Sequence, residues 1–359
     1  MVVSSTTSRA FFRDVQPSAH GGAEAGALAR LGLDPAAVTD FSANQSPLGP
    51  APGVADAIAH AAIDRYPDRD AAPLAAAIAR RHALSPAQAV VGNGSTELIR
   101  LIAQLALQPG DAALMLSPTF GEYAVATRMS GGVPAECAAE ELPQRLAEVS
   151  PRLCWLCSPN NPTGVALAPA DIATLTARHR RTLFVLDEAY CDLLAAPQWT
   201  PDLLARGNLL ILRSMTKAWG LAGLRLGYAL GDAALMRPLR AGGAPWNVNA
   251  CAQAAGLAAL HDADHYARTV AVLREQKAAL IAGLRALGWD VLPSDAAFFL
   301  VRVGDAPGVA RALLRHGCLV RDCTSFGLPA HIRISPRRPE ENRRLLAAFA
   351  ALPPAGGSG

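Results

Sequence analysis

Five short apolar runs, at 112–116, 153–156, 182–186, 209–212 and 226–230, are separated by longer stretches of helical character. That alternation constrains the fold more than any other feature of the chain. Apolar runs of this length suit strands buried on both faces, which requires helices on both sides of the sheet. The pattern therefore predicts an α/β architecture with a large, mostly parallel sheet. In such sheets ligands sit beyond the carboxyl ends of the strands. Polar motifs fall there: Asn161 after the second run, Asp187 after the third and Lys217 after the fourth.

Ahead of these runs, Ala89-Val90-Val91-Gly92-Asn93-Gly94-Ser95-Thr96 reads as a short strand entering a Gly/Ser/Thr turn. Leu98, Ile99, Leu101, Ile102 and Leu105 then form the apolar face of a helix. Backbone N–H groups and hydroxyls at such a helix start can hold an anion. Further helices are predicted at 57–62 and 73–82, and one long helical region at 249–287. The rest, 290–352, reads as a smaller α+β unit. The expected plan is an arm over 1–45 that joins the small domain and a large domain over 46–250. A linking helix and the small domain follow over 251–352, then a disordered tail over 353–359.

Composition enters as a set of exclusions. Half the residues are apolar and 18% charged, which fits a globular enzyme and excludes a disordered chain. A net charge of +3 gives no reason to expect nucleic acid or an anionic membrane as partner. No apolar run reaches the roughly 18 residues of a membrane span, and residues 1–12 lack a secretion-signal core, so a cytoplasmic location is expected. Seven scattered cysteines fit reduced thiols there. Cys154 and Cys157 have CxxC spacing but fall in an expected strand, where residues three apart face opposite ways, so no metal site is expected.

Lys217 has hydroxyls at −3 and −1 (Ser214, Thr216) and a guanidinium at +8 (Arg225). Such a lysine could form an imine with a carbonyl. Ser214, Thr216, Arg225 and the helix start at Ser95-Thr96 could together hold a phosphate dianion. Asp187, charged beside a buried strand, needs a cationic partner. Phe120 offers an aromatic face, and Asn161 and Tyr190 offer hydrogen bonds to a phenolate oxygen. One planar molecule with an aldehyde, a phenolate, a pyridinium and a phosphate meets all of these requirements: pyridoxal 5′-phosphate.

The motifs Ser158-Pro159-Asn160-Asn161-Pro162-Thr163-Gly164, Asp187-Glu188-Ala189-Tyr190 and Ser214 to Lys217 with Arg225 resemble those of fold-type I, class I/II pyridoxal-phosphate enzymes. The resemblance covers roughly 18–350. It implies a large mostly parallel-sheet domain with a smaller α+β domain, a homodimer, and an amino acid or amino phosphate as substrate. By the same resemblance Lys217 is the covalent lysine and proton carrier, and Asp187 keeps the pyridine nitrogen protonated. Asn161 and Tyr190 hold the ring oxygen, Phe120 stacks on the ring, and Ser95, Thr96, Ser214, Thr216 and Arg225 bind the phosphate. Tyr66 is implied to reach the neighbouring subunit's phosphate and Arg333 to grip the substrate carboxylate. Arg321 and His20 are implied to contact a substrate phosphate, and Asn44 to bind the substrate.

Two branches of the family compete. His20-Gly21-Gly22, Asp40-Phe41-Ser42-Ala43-Asn44, Pro245-Trp246-Asn247-Val248-Asn249 and Val320-Arg321-Asp322-Cys323 resemble threonine-phosphate decarboxylases of cobalamin synthesis, and this branch is favoured. Gly220-Leu221-Ala222-Gly223 is closer to the alternative, histidinol-phosphate aminotransferases. Ala23, Gln45-Ser46 and Ala297 depart from the decarboxylase pattern. A third reading, a cofactor-binding regulator fused to a DNA-binding module, is disfavoured because only about 45 residues precede the core. No GxGxxG follows the first strand, which argues against a nicotinamide enzyme.

Overall fold

The structure is a computed structural model that describes Ser18, Gly21, Gly22, residues 25–30 and residues 32–353. In chain order its strands are β1 (Thr39–Asp40), β2 (Ala89–Gly92), β3 (Ala112–Leu116), β4 (Val133–Cys137) and β5 (Leu153–Cys157). They continue with β6 (Leu183–Asp187), β7 (Leu209–Ser214), β8 (Gly227–Gly231), β9 (Asp290–Val291) and β10 (Phe299–Arg302), ending with β11 (Cys318–Leu319), β12 (Arg321–Asp322) and β13 (His331–Ile334). Seven of them form the large sheet in the order β2-β8-β7-β6-β5-β3-β4. Its pairings are parallel except around β8, which runs antiparallel to both β2 and β7.

Period-two alternation divides each central strand between two apolar cores. Leu114, Cys154, Leu156, Phe184, Leu186, Leu209 and Ile211 pack on one face of the sheet. Met115, Leu153, Trp155, Cys157, Val185, Leu210 and Leu212 pack on the other. Cys154 and Cys157 thus lie on opposite faces. A third core, with Trp289, Phe299, Ile332, Ile334 and Phe349, belongs to the four-stranded sheet β12-β13-β10-β9. Phe41 joins that core, and the parallel pairing of β1 with β11 ties residues 39–40 to it.

Several elements differ from expectation. β6 and β7 run further than their apolar runs, so Asp187 is the last residue of its strand and not the one after it. The helix expected at 57–62 spans Gly53–Ala59, because Pro52 sits at its N-cap, a position where a missing N–H costs nothing. The long helical region is two helices, Ala250–His261 and Ala263–Ala286, broken at Asp262, whose side chain accepts from the His265 N–H and so starts a new helix. The edge strand β4 was not foreseen, since Pro134 and Glu136 interrupt its apolar pattern. The tail beyond Pro353 lies outside the described residues. Among the described residues no helix is long and apolar enough to cross a membrane.

What matters for the site is the register of β5, β6 and β7. Cys157 pairs with Asp187, and Asp187 with Leu212. Three carboxyl ends therefore finish side by side, roughly 4.8 Å apart, with the loops carrying Asn161, Tyr190 and Lys217 directly beyond them.

Candidate active site

One cavity of about 270 Å³ opens at these strand ends, between the large sheet and the small unit. Its large-domain side is lined by Ser95, Thr96, Phe120, Asn161, Asp187, Tyr190, Ser214, Thr216, Lys217 and Arg225; Asn44, Arg321 and Arg333 close it from the other side. Tyr66 is not in it: its ring is 77% exposed and stacks on Trp246 at 4.5 Å. His20 lies outside the described residues.

Asp187 is fixed from two directions. Its Oδ1 accepts from the Ala189 N–H at 3.0 Å and its Oδ2 from the Tyr123 hydroxyl at 2.8 Å. Burial pushes its carboxyl up to about 6, while the Tyr123 and Ala189 hydrogen bonds hold it down. Tyr123 was missed by the sequence reading, because 64 residues separate it from its partner. Its ring is clamped between Trp155, stacked at 5.3 Å, and the edge of Phe120 at 5.6 Å. Burial raises the Tyr123 hydroxyl well above its ordinary value, so it acts as a neutral donor. Replacing Tyr123 by phenylalanine keeps the stack and deletes one hydrogen bond to an ionised group. The pH at which Asp187 ionises should then rise by about one to two units. The pH dependence of cofactor affinity reports this, and an unmoved profile would assign the bond no electrostatic role.

Immediately after β6, Glu188 turns to the opposite face and accepts from Arg213 of β7, with both Nε and Nη2 at 2.8 Å from Oε2, and from the Trp199 indole at 3.1 Å. This pair, also absent from the sequence reading, ties the ends of β6 and β7 together behind the cavity. Burial raises the Glu188 carboxyl and Arg213 opposes that shift.

One end of the cavity is the start of the helix Ser95–Ala106. Gly94 occupies its N-cap with φ +83° and has no side chain to cap the first N–H groups, which stay available to an anion. A Cβ on Gly94 would come within 3.1 Å of the Arg225 guanidinium, and one on Gly227 within 2.6 Å of the Ser95 nitrogen. Both glycines therefore allow the close approach that forms this cradle. Ser214 and Thr216 add hydroxyls 2.7 Å apart. Lys217 Nζ stands 5.4 Å from the centre of the Tyr190 ring, and that ring meets Phe298 edge-on at 4.8 Å.

Across the cavity, the buried Arg333 donates through Nη2 to the Ser42 carbonyl at 2.7 Å and through Nη1 to the Asn161 amide oxygen. Its guanidinium lies 5.0 Å from the Phe298 ring. Burial lowers its proton affinity from the ordinary arginine value. Arg321 donates to the Ser325 hydroxyl at 2.7 Å and lies 5.3 Å from the Phe326 ring. Asn44, at φ +54°, is buried, and neither atom of its amide has a hydrogen-bond partner among the described residues.

These observations test the fit of pyridoxal 5′-phosphate. Among the described residues of the cavity lining, four cations, Lys217, Arg225, Arg321 and Arg333, surround one carboxylate, Asp187. That distribution suits a ligand pair carrying several negative groups and one protonated ring nitrogen. The carboxylate sits at the sheet, the phosphate cradle at the helix start and the aromatic face at Phe120, so the residues fit the group.

Comparison with known proteins gives one family match, a similar relative and two similar solved structures. The family model for aminotransferase class I and II matches residues 36–349. Histidinol-phosphate aminotransferase of Symbiobacterium thermophilum is 40% identical over 320 residues, which cover 86% of this chain and 88% of the relative. Among solved structures, histidinol-phosphate aminotransferase from Sinorhizobium meliloti in complex with pyridoxal-5'-phosphate superposes with a TM-score of 0.82 at 27% identity, covering 92% of this chain and 94% of that one. L-threonine-O-3-phosphate decarboxylase from Porphyromonas gingivalis superposes with a TM-score of 0.78 at 30% identity, covering 86% and 97%.

Proposed function

The chain belongs to the aminotransferase class I and II family, and on that footing we propose that it moves the amino group of an amino phosphate of the histidinol phosphate kind to a 2-oxo acid. It is an enzyme whose cofactor is pyridoxal 5′-phosphate. When bound, that cofactor supplies an electron sink that lets a bond at the amine-bearing carbon break heterolytically.

In this reading Lys217 would hold the cofactor covalently, and its amine, once released, would accept and return a proton in the chemistry the cofactor supplies. Asp187, oriented by Tyr123 and Ala189, keeps the ring nitrogen protonated. Asn161 and Tyr190 hydrogen-bond the ring oxygen, Phe120 covers the ring, and Ser95, Thr96, Ser214, Thr216 and Arg225 hold the phosphate. Arg333 takes a carboxylate, and Arg321 with Asn44 takes the distal anion. The exposed Tyr66 serves a second subunit's phosphate in a homodimer.

The observation that carries the proposal is the pair Arg333 and Arg321 facing Lys217 across one cavity. A transaminase must admit two substrates in turn through one site, and two separate cations can receive either a dicarboxylic oxo acid or an amino phosphate. The motif reading ranks the decarboxylase first; the 40% identity to a histidinol-phosphate aminotransferase reverses that order. Decarboxylation of an amino-acid phosphate stays as the second reading on the strength of the 30% identical decarboxylase structure. The two differ in which bond at the reacting carbon stands perpendicular to the ring.

Incubating the purified protein with histidinol phosphate and 2-oxoglutarate should yield glutamate. Threonine phosphate releasing carbon dioxide instead would favour the second reading, and neither product would defeat both. Replacing Arg333 by glutamine should raise the KM for 2-oxoglutarate about 100-fold, the loss of a two-pronged charged hydrogen bond. Arg321→Ala should raise the KM for the amino phosphate while leaving cofactor affinity unchanged. If both changes acted only on cofactor affinity, the substrate assignment would be wrong.

A further inference from the structure

At the opposite edge of the large sheet, where β5, β6 and β7 begin, lies a second hollow of about 380 Å³ that shares no residue with the catalytic cavity. Its two sides differ sharply in chemistry. Arg152, Arg180 and Arg181 stand on one side, all exposed, and no carboxylate is among the lining residues. The other side is apolar: Leu235, half-buried, stands on the helix Ala233–Gly242 above the buried Leu239, and Leu105, 49% exposed, lies in the last turn of the helix Ser95–Ala106. The neutral polar groups between them are occupied internally. Thr182 donates to the Pro151 carbonyl at 2.7 Å, and Asn208 donates to the Thr176 carbonyl at 3.0 Å.

No acid lines this hollow, although Asp111 lines the adjoining one that the same three arginines border, and Arg180 also donates to the Arg206 carbonyl at 2.6 Å. Arginine forks with N–H groups to spare suit a phosphate or carboxylate. An exposed leucine beside them gains only if something apolar covers it. We propose that this hollow is a binding site for a small amphiphilic anion, its charged head on Arg152, Arg180 and Arg181 and its apolar body over Leu105 and Leu235. The site stands apart from the catalytic assignment, because none of its residues takes part in that chemistry.

Titration calorimetry on the cofactor-loaded protein tests it, with octyl phosphate (below its micellar concentration), butyl phosphate, inorganic phosphate and octanol as probes. Each buried methylene is worth about fourfold in affinity. Octyl phosphate should therefore bind at least about 30-fold more tightly than butyl phosphate if most of the added chain is covered. It should also bind more tightly than octanol, which lacks the head group. Arg181→Ala and Leu105→Glu, both at exposed positions, should each weaken it at least tenfold, while Arg321→Ala in the catalytic cavity leaves it unchanged. Equal binding of octyl and inorganic phosphate, equal binding of octanol, or binding lost in Arg321→Ala but kept in Leu105→Glu would each overturn the proposal.

Discussion

Lys217→Ala should lower kcat by at least about 10²- to 10⁴-fold, the range a positioned proton carrier supplies, and should abolish covalent retention of the cofactor. Among the described residues of the cavity lining no other nitrogen replaces it. Arg225 is bound to the Ala222 carbonyl at 2.9 Å, and Arg333 is held by Ser42 and Asn161. Guanidinium groups, protonated throughout the working pH range, are also poor proton acceptors. The variant should keep its fold, since the ends of β6 and β7 are held by Glu188 and Arg213 and not by the lysine. Borohydride reduction followed by mass measurement checks the covalent link independently of turnover: wild type gains the mass of the cofactor and the variant does not. Labelling retained in the variant would move the covalent role to another residue.

Asp187→Asn should have the second largest effect, and its two consequences have opposite signs. Turnover should fall by about 10²- to 10⁴-fold, because an amide cannot hold a proton on the ring nitrogen as a carboxylate does. The cofactor-free protein should become more stable. Below the ordinary carboxyl value of 3.8 the group is neutral folded or unfolded, so its burial carries no charge penalty. Between that value and about 6 the unfolded chain ionises while the folded one resists, and stability is lost as pH rises. Above about 6 both forms are ionised and the penalty is complete, on the order of 3 kcal/mol. The advantage of the asparagine variant should therefore grow across that window and level off beyond it. Urea unfolding of both cofactor-free proteins at several pH values measures it. A constant difference across the window would mean that Asp187 does not titrate there.

Much of this site was legible in the chain before any geometry. Apolar runs located the central strands to within a residue or two, and period-two alternation placed Cys154 and Cys157 on opposite faces. The polar residues that follow such runs collect at one sheet edge because parallel strands share a direction. What was not legible has a common physical origin in contacts between distant segments. Tyr123 reaches Asp187 from the first turn of the helix Glu122–Met129. Arg213 and Glu188 meet only because β6 and β7 are neighbours. Both hydrophobic period and motif spacing are local quantities and carry no record of such pairs. The break at Asp262 is different: its capping signal was present, and an uninterrupted run of helix-forming residues masked it.

Strand register has a consequence for how such a chain can change over generations. The separation of Asp187 from Lys217 depends on the hydrogen-bonded ladder of β6 and β7, while Arg321 and Arg333 sit on a different sheet, β12 and β13. On the assignment proposed for Arg321, a substitution there, or an insertion between β12 and β13, would alter which amine is admitted without moving the groups that activate it. A duplicated copy could then drift from one amino phosphate to another, or from one bond cleavage to another, while remaining a working catalyst at each step. The spread of relatives around this chain, transaminases and a decarboxylase on one scaffold, is the outcome such a partition permits.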